Sequence, residues 1–208
     1  MKKEQDYIRD ITEIRSMMER SSKFLSLSGW SGILAGIYAL LGVYIAYTFL
    51  GFNPDEVAPS TLKSGNLFVS LMNIIILACI VFILAIGTAI FLSYKKGHKK
   101  GEKVWNPTTR RLIMNMAVPI IVGGLLILVL ISNGLVGLIA PFTLIFYGLA
   151  LYNASKFTFE EVKILGLVEI GLGLLGAYFV AYGILIWALG FGIAHIIYGL
   201  YMHYRYEK

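Results

Sequence analysis

Residues 112–155 run on without a single Asp, Glu, Lys or Arg. The hydrocarbon core of a bilayer is about 30 Å thick, and a helix of roughly 20 apolar residues crosses it. Inside lipid the backbone must satisfy its own hydrogen bonds, which a helix does locally. The charge-free run is long enough for two crossings, and Ser132-Asn133-Gly134 supplies the turn between them. The same pattern recurs along the chain. Spans are predicted at about 25–50, 67–94, 112–132, 135–153, 164–181 and 184–204. A soluble domain is about half apolar and a quarter charged. Here 58% of residues are hydrophobic and 14% charged, with a mean hydropathy of +0.76, so the bilayer is the solvent. The expected fold class is an all-α polytopic membrane bundle of six transmembrane helices, arranged as three hairpins.

The net charge of +6 does not point to nucleic acid, because the cations flank the apolar spans. Every Lys and Arg except Lys63 falls in the N-terminal segment, the 95–111 loop, the 154–163 loop or the C-terminal tail. Cytoplasmic loops carry such an excess. Both termini are therefore expected inside, with residues 51–65 outside. The charged first residues lack the apolar core of a signal peptide, so the N-terminus is expected to be retained. Cys79 is the one cysteine, so no disulfide forms within the chain.

Residues 1–24 read as a separate cytoplasmic amphipathic helix, ahead of a transmembrane domain at 25–208. Tyr7, Ile11, Ile14 and Met18 fall on one helical face, and charges of both signs cover most of the rest. Such a helix can lie on the membrane surface, dock on the bundle, or recruit a cytoplasmic protein partner.

Two ionisable residues lie deep in apolar sequence, Glu169 in the fifth span and His195 in the sixth. If Tyr182 centres the turn between these spans, Glu169 precedes it by as many residues as His195 follows it. At ~1.5 Å rise per residue both lie about 20 Å from the turn, at matched depth. Gly166 and Gly173 flank Glu169 at i−3 and i+4, and Gly192 and Gly199 flank His195 in the same way. Small residues at that spacing let helices approach closely. The two glycine faces are therefore expected to meet, bringing carboxyl and imidazole together. Burial favours the neutral form of each, whereas contact favours the charged pair. A pair balanced between these states suits proton binding in a carrier, and ionisable residues inside the membrane are functional candidates. The competing role is structural, a hydrogen bond that sets the register of two spans.

Asn73, Asn115 and His203 are candidates for a polar lining near that pair. Pro119 and Pro141 are placed to kink the third and fourth spans. Ser28, Gly32 and Gly36 form a small-residue stripe on the first span, read as a packing face. Gly32, Leu40, Leu41, Gly42 and Tyr44 match Gly166, Leu174, Leu175, Gly176 and Tyr178 at one constant offset. The match fits either a duplicated hairpin or convergence of two Gly/Leu-rich strings. No HExxH, CxxC, GxSxG or phosphate-cradling glycine loop occurs, and no enzyme, metal or cofactor is expected.

The stretches YIRDITEIRSMMERSSKFLSLSG (7–29) and WALGFGIAHIIYGLYMHYRYEK (187–208) resemble uncharacterised six-span membrane proteins of Bacteroidota. That resemblance implies an inner, cytoplasmic-membrane location and no catalytic role. The repeated Gly/Leu hairpins also resemble the acid-resistance membrane proteins built of two-helix repeats, from which no role is transferred. Two functions are expected to compete. One is a small proton-linked transporter or permease using Glu169 and His195. The other is a membrane scaffold or signalling partner acting through the N-terminal helix and the basic loop. The bilayer is the expected partner, the small-residue faces allow a homo-oligomer, and nucleic acid is not expected.

Overall fold

The computed structural model describes residues 23–51, 65–99 and 105–208. The expected amphipathic helix at 1–24 and the loop at 51–65 lie almost wholly outside the described residues, as does part of the basic loop. The described residues contain helices and no strand. Helix α1 spans Gly29–Thr48, α2 Gly65–Lys99, α3 Pro107–Ser132, α4 Ile139–Ala154 and α5 Glu160–Tyr178. The last span is composite: α6 is Gly183–Trp187, a π-helical segment covers Ala188–Ala194, and α7 is His195–Tyr206. Single 3-10 turns at Val136–Leu138, Ser155–Phe157 and Val180–Tyr182 precede α4, follow it and precede α6.

Among the described residues five helical stretches are long and apolar enough to cross a membrane: Gly29–Thr48, Met72–Lys99, Pro107–Ser132, Val136–Phe157 and Val180–Tyr206. Helix α5 is of comparable length but carries Glu160, Glu161 and Lys163 in its first turn and Glu169 further on. Those charges set it apart from the other five.

Local chemistry explains the α3–α4 turn. Asn106 caps α3, its side chain accepting from the Thr109 N–H at 2.8 Å, with Pro107 at the first helical position. At the other end Gly134 adopts φ 71°, a left-handed conformation that costs glycine nothing. The Leu135 N–H then bonds back to Leu130 O and the Gly134 N–H to Ile131 O. These two bonds satisfy carbonyls the helix end would leave bare. Pro141 falls in the first turn of α4, where a missing N–H breaks no bond, so the expected kink has no cause there. Pro119 does lie inside α3.

Glycine contacts show which helices touch. A Cβ on Gly29 would stand 2.6 Å from Gly199 O, one on Gly36 2.5 Å from Gly192 O, and one on Gly199 2.5 Å from Ile33 N. Helix α1 thus lies backbone against backbone on the last span, and the stripe of the first span is a packing face. In the same way Gly148 and Gly166 join α4 to α5, each placing a Cβ within 2.7 Å of the other's carbonyl oxygen. Gly173 abuts Pro141 O and Ile145. The expectation that the glycine faces of the fifth and sixth spans meet each other is therefore corrected. The fifth turns Gly166 and Gly173 to α4, and the sixth turns Gly192 and Gly199 to α1. A flat glycine face accepts any close backbone, and i−3/i+4 spacing does not specify whose.

Helix α2 flanks α1, with Gly42 against Val81 and the Tyr38 hydroxyl 3.4 Å from Thr88 Oγ1. Helix α3 flanks α4, with Gly123 under Phe146. The most apolar stretches of these two flanking helices are almost entirely uncovered by protein. The last span sits between α1 on one side and the α4–α5 pair on the other. The buried cluster of Leu151, Phe159, Val162, Leu165 and Met202 lies where α4, α5 and α7 converge.

Candidate functional site

Glu169 projects from the middle of α5 and is completely buried. His195 opens α7, directly after the π segment, and is 5% exposed. The carboxyl lies against Gly190, where a Cβ would come within 2.5 Å of Glu169 Oε2 and 2.6 Å of Leu144 Cδ2. Glycine at 190 therefore makes the room that the carboxyl occupies. A π segment widens a helix by one residue per turn and is common at functional sites. Here it contains Gly190 and ends where His195 begins.

His195 Nδ1 is 3.2 Å from Glu169 Oε1 and 3.1 Å from Gly190 O. The first distance fits an ion pair, but only the contact with the carbonyl has hydrogen-bond geometry. Both Glu169 oxygens are buried without a hydrogen-bond partner. A carbonyl only accepts, so the hydrogen on Nδ1 points to Gly190 O. In the neutral ring Nε2 is then the acceptor, and the Tyr147 hydroxyl, 3.1 Å away, donates to it. Phe191 stacks on the imidazole at 5.7 Å between ring centres, and Tyr147 lies 5.5 Å from it. Trp187 continues this aromatic wall and donates from Nε1 to Thr143 Oγ1 at 3.1 Å.

The structure thus brings Glu169 and His195 together and adds Tyr147, which sequence reasoning missed. A signal was present. Tyrosines of membrane proteins favour the interfaces, whereas Tyr147 lies mid-span in residues 135–153.

The expected polar lining is not assembled around the pair. Asn73 is exposed on α2. The Asn115 side chain donates to Arg111 O of its own helix at 2.8 Å. His203 belongs to a different cluster, 2.8 Å from Glu207 Oε2 and edge-on to Trp30. In an apolar setting each polar side chain takes the nearest acceptor or donor, which sequence spacing does not reveal.

Glu207 is the second residue missed. Its Oε1 accepts from Lys96 Nζ at 2.9 Å and from the Gly29 N–H at 3.0 Å. Lys96 also donates to Leu27 O at 2.6 Å. One carboxylate thereby joins the start of α1, the end of α2 and the end of α7. Burial works against its charge, but the bonds from His203, Lys96 and Gly29 outweigh that and lower its pKa from the ordinary 4.5 to about 2. Beside it a groove of about 310 Å³ is lined by Lys23, Leu25, Lys96, Thr158, Phe159, Glu160 and Tyr206.

Among the described residues no group of three or more His, Cys, Asp or Glu could hold a metal ion. Comparison with protein-family models, curated proteins and solved structures found no match.

Proposed function

We propose that this chain is a proton-linked transporter or permease of the cytoplasmic membrane, with Glu169 and His195 as its proton-binding pair. The proposed topology is six crossings, α5 included, with both termini inside. Cation placement supports it, since Lys63 alone of the Lys and Arg residues would face outward.

One observation carries the functional reading. The Glu169 carboxyl is cut off from water and receives no hydrogen bond, although a potential donor stands 3.2 Å away. A register-setting clamp gains its worth from making that bond. Burying a carboxyl without a hydrogen bond is costly, so the role we propose is one in which this group gains and loses a proton. With Glu169 neutral the Nδ1–H stays on Gly190 O, and with Glu169 charged it turns to Oε1, so the proposed states differ by one proton and by the direction of one hydrogen bond.

The test is proton flux in liposomes carrying the purified protein, read together with infrared absorption in the protonated-carboxyl region. Wild type is expected to show flux and a carboxyl band, and Glu169→Gln to lose both. Absence of flux and band from wild type would refute the reading.

A second reading, a membrane scaffold acting through residues 1–24 and the 95–111 loop, draws on the Glu207 junction. That junction ties together the start of α1, the end of α2 and the end of α7. It predicts that Glu169→Gln is tolerated and that removing residues 1–24 abolishes association with a cytoplasmic protein.

A further inference from the structure

Tyr147 and His195 are the start of a longer series of ionisable side chains. On α7, His195, Tyr198, Met202 and Tyr206 follow at i, i+3, i+7 and i+11, a single helical face. On α5, Glu161, Leu165 and Glu169 fall at i, i+4 and i+8, again one face. The two faces meet at their ends. His195 Nδ1 lies 3.2 Å from Glu169, and the Tyr206 hydroxyl donates to Glu161 Oε1 at 2.7 Å. Arg205 also approaches Glu161, at 3.7 Å. Tyr147 and Tyr198 both pack against the cluster containing Leu165 and Met202, and each lies within electrostatic range of the other's neighbourhood: Tyr147 of Glu169 and Tyr198, Tyr198 of Glu161 and Tyr206. Tyr206 in turn lines the groove of about 310 Å³ at the cation-rich end.

We infer that Tyr147, Tyr198 and Glu161 form a one-sided proton route between that groove and the Glu169–His195 pair. The inference rests on the proton-binding reading above and adds the side of the membrane from which the site is loaded. Glu161 takes up a proton beside Tyr206, which lines the groove, and Tyr198 receives it. Tyr147 passes its hydroxyl proton to His195 Nε2 and is restored by the proton arriving from Tyr198. The imidazolium then gives its Nδ1 proton to Glu169 Oε1. One proton enters and one is bound; Glu161, Tyr198 and Tyr147 end as they began, while His195 ends with its hydrogen on Nε2 and is reset to the Nδ1–H form by a turn of the imidazole ring. The step from Tyr198 to Tyr147 requires rotation of the Tyr198 hydroxyl or one bridging water. Buried Met202 and Leu165 stand beside this step and keep bulk water from bypassing it.

The experiment is a pH jump on the full-length protein reconstituted in one orientation, with protonation of Glu169 followed by its infrared carboxyl band. Jumps are applied separately on the two sides. In wild type the band is expected to respond quickly only to jumps on the cation-rich side. Tyr198→Phe should slow that response at least tenfold and leave its final amplitude unchanged, Tyr147→Phe should slow it at least as much, and Glu161→Gln slows it to a lesser degree. The amplitude distinguishes slowed transfer from a damaged site. Should Tyr147→Phe fail to fold, Tyr198→Phe alone decides, because Tyr198 makes no hydrogen bond to the pair. Unchanged rates in the folded variants, or equal response to jumps from both sides, would overturn the route. A wild-type protein with no titrating carboxyl band would instead overturn the proton-binding reading itself.

Discussion

His195 Nδ1 stands 3.2 Å from Glu169 Oε1, yet its hydrogen bond goes to the carbonyl of Gly190 at 3.1 Å. Proximity without a bond is an unusual arrangement for a buried carboxyl, and the roles open to Glu169 predict opposite outcomes when it is replaced.

Glu169→Met keeps the length of the side chain and removes the polar head. If the carboxyl pays desolvation without compensation, the substitution should stabilise the protein by about 1–3 kcal/mol. Thermal unfolding in detergent should then show a raised midpoint. If the carboxyl is a register clamp on His195, the midpoint should fall.

Gly190→Ala places a methyl group within 2.6 Å of both Glu169 Oε2 and Leu144 Cδ2. Overpacking of this kind costs about 1–3 kcal/mol. Combining it with Glu169→Ala should restore part of the loss, because the shortened side chain vacates the contested volume. A double-mutant cycle on unfolding free energies measures the coupling, and strict additivity would contradict the shared space.

Gly199→Ala and Gly87→Ala should differ sharply although both are helical glycines. A Cβ at 199 meets backbone atoms of α1 at 2.5 and 2.6 Å, which cannot yield without moving the helix. One at 87 meets nothing within 4 Å. The first should destabilise by at least ~1–3 kcal/mol. The second should be neutral or gain up to about 1 kcal/mol from helix propensity. Thermal midpoints of the two single variants give the comparison directly.

The Glu207 junction predicts acid sensitivity at one end of the bundle. Its pKa is about 2 in the folded protein against an ordinary 4.5. The folded state binds the proton more weakly, so the stabilisation is full above pH about 4.5 and is lost as pH falls toward 2. Limited proteolysis near residues 23–28 should accelerate through that window in wild type. In Glu207→Gln the same cleavage should already be faster at neutral pH and change little with acid.

The apolar runs, the turn at Asn133-Gly134 and the isolation of Glu169 and His195 in apolar sequence were all legible from residue order, because each depends on local composition. So was the packing role of Gly32 and Gly36. Partner choice was not legible. Gly166 and Gly173 turn to α4, and Gly192 and Gly199 turn to α1, though their spacing is the same on both helices. Tyr147 lies far along the chain from His195, and Glu207 from Gly29, and their contacts exist only once helices distant in sequence have met. The direction of the Nδ1 hydrogen was not legible either, although its acceptor lies only five residues back in the same span. It depends on a π segment that carries the Gly190 carbonyl beside the ring. Hydrophobicity and turn chemistry are properties of neighbouring residues, so the sequence alone determined that the chain is a bundle of membrane-length helices with two ionisable groups in its interior. Which helix faces which, and hence which ionisable groups come together, is settled by close packing across the whole bundle.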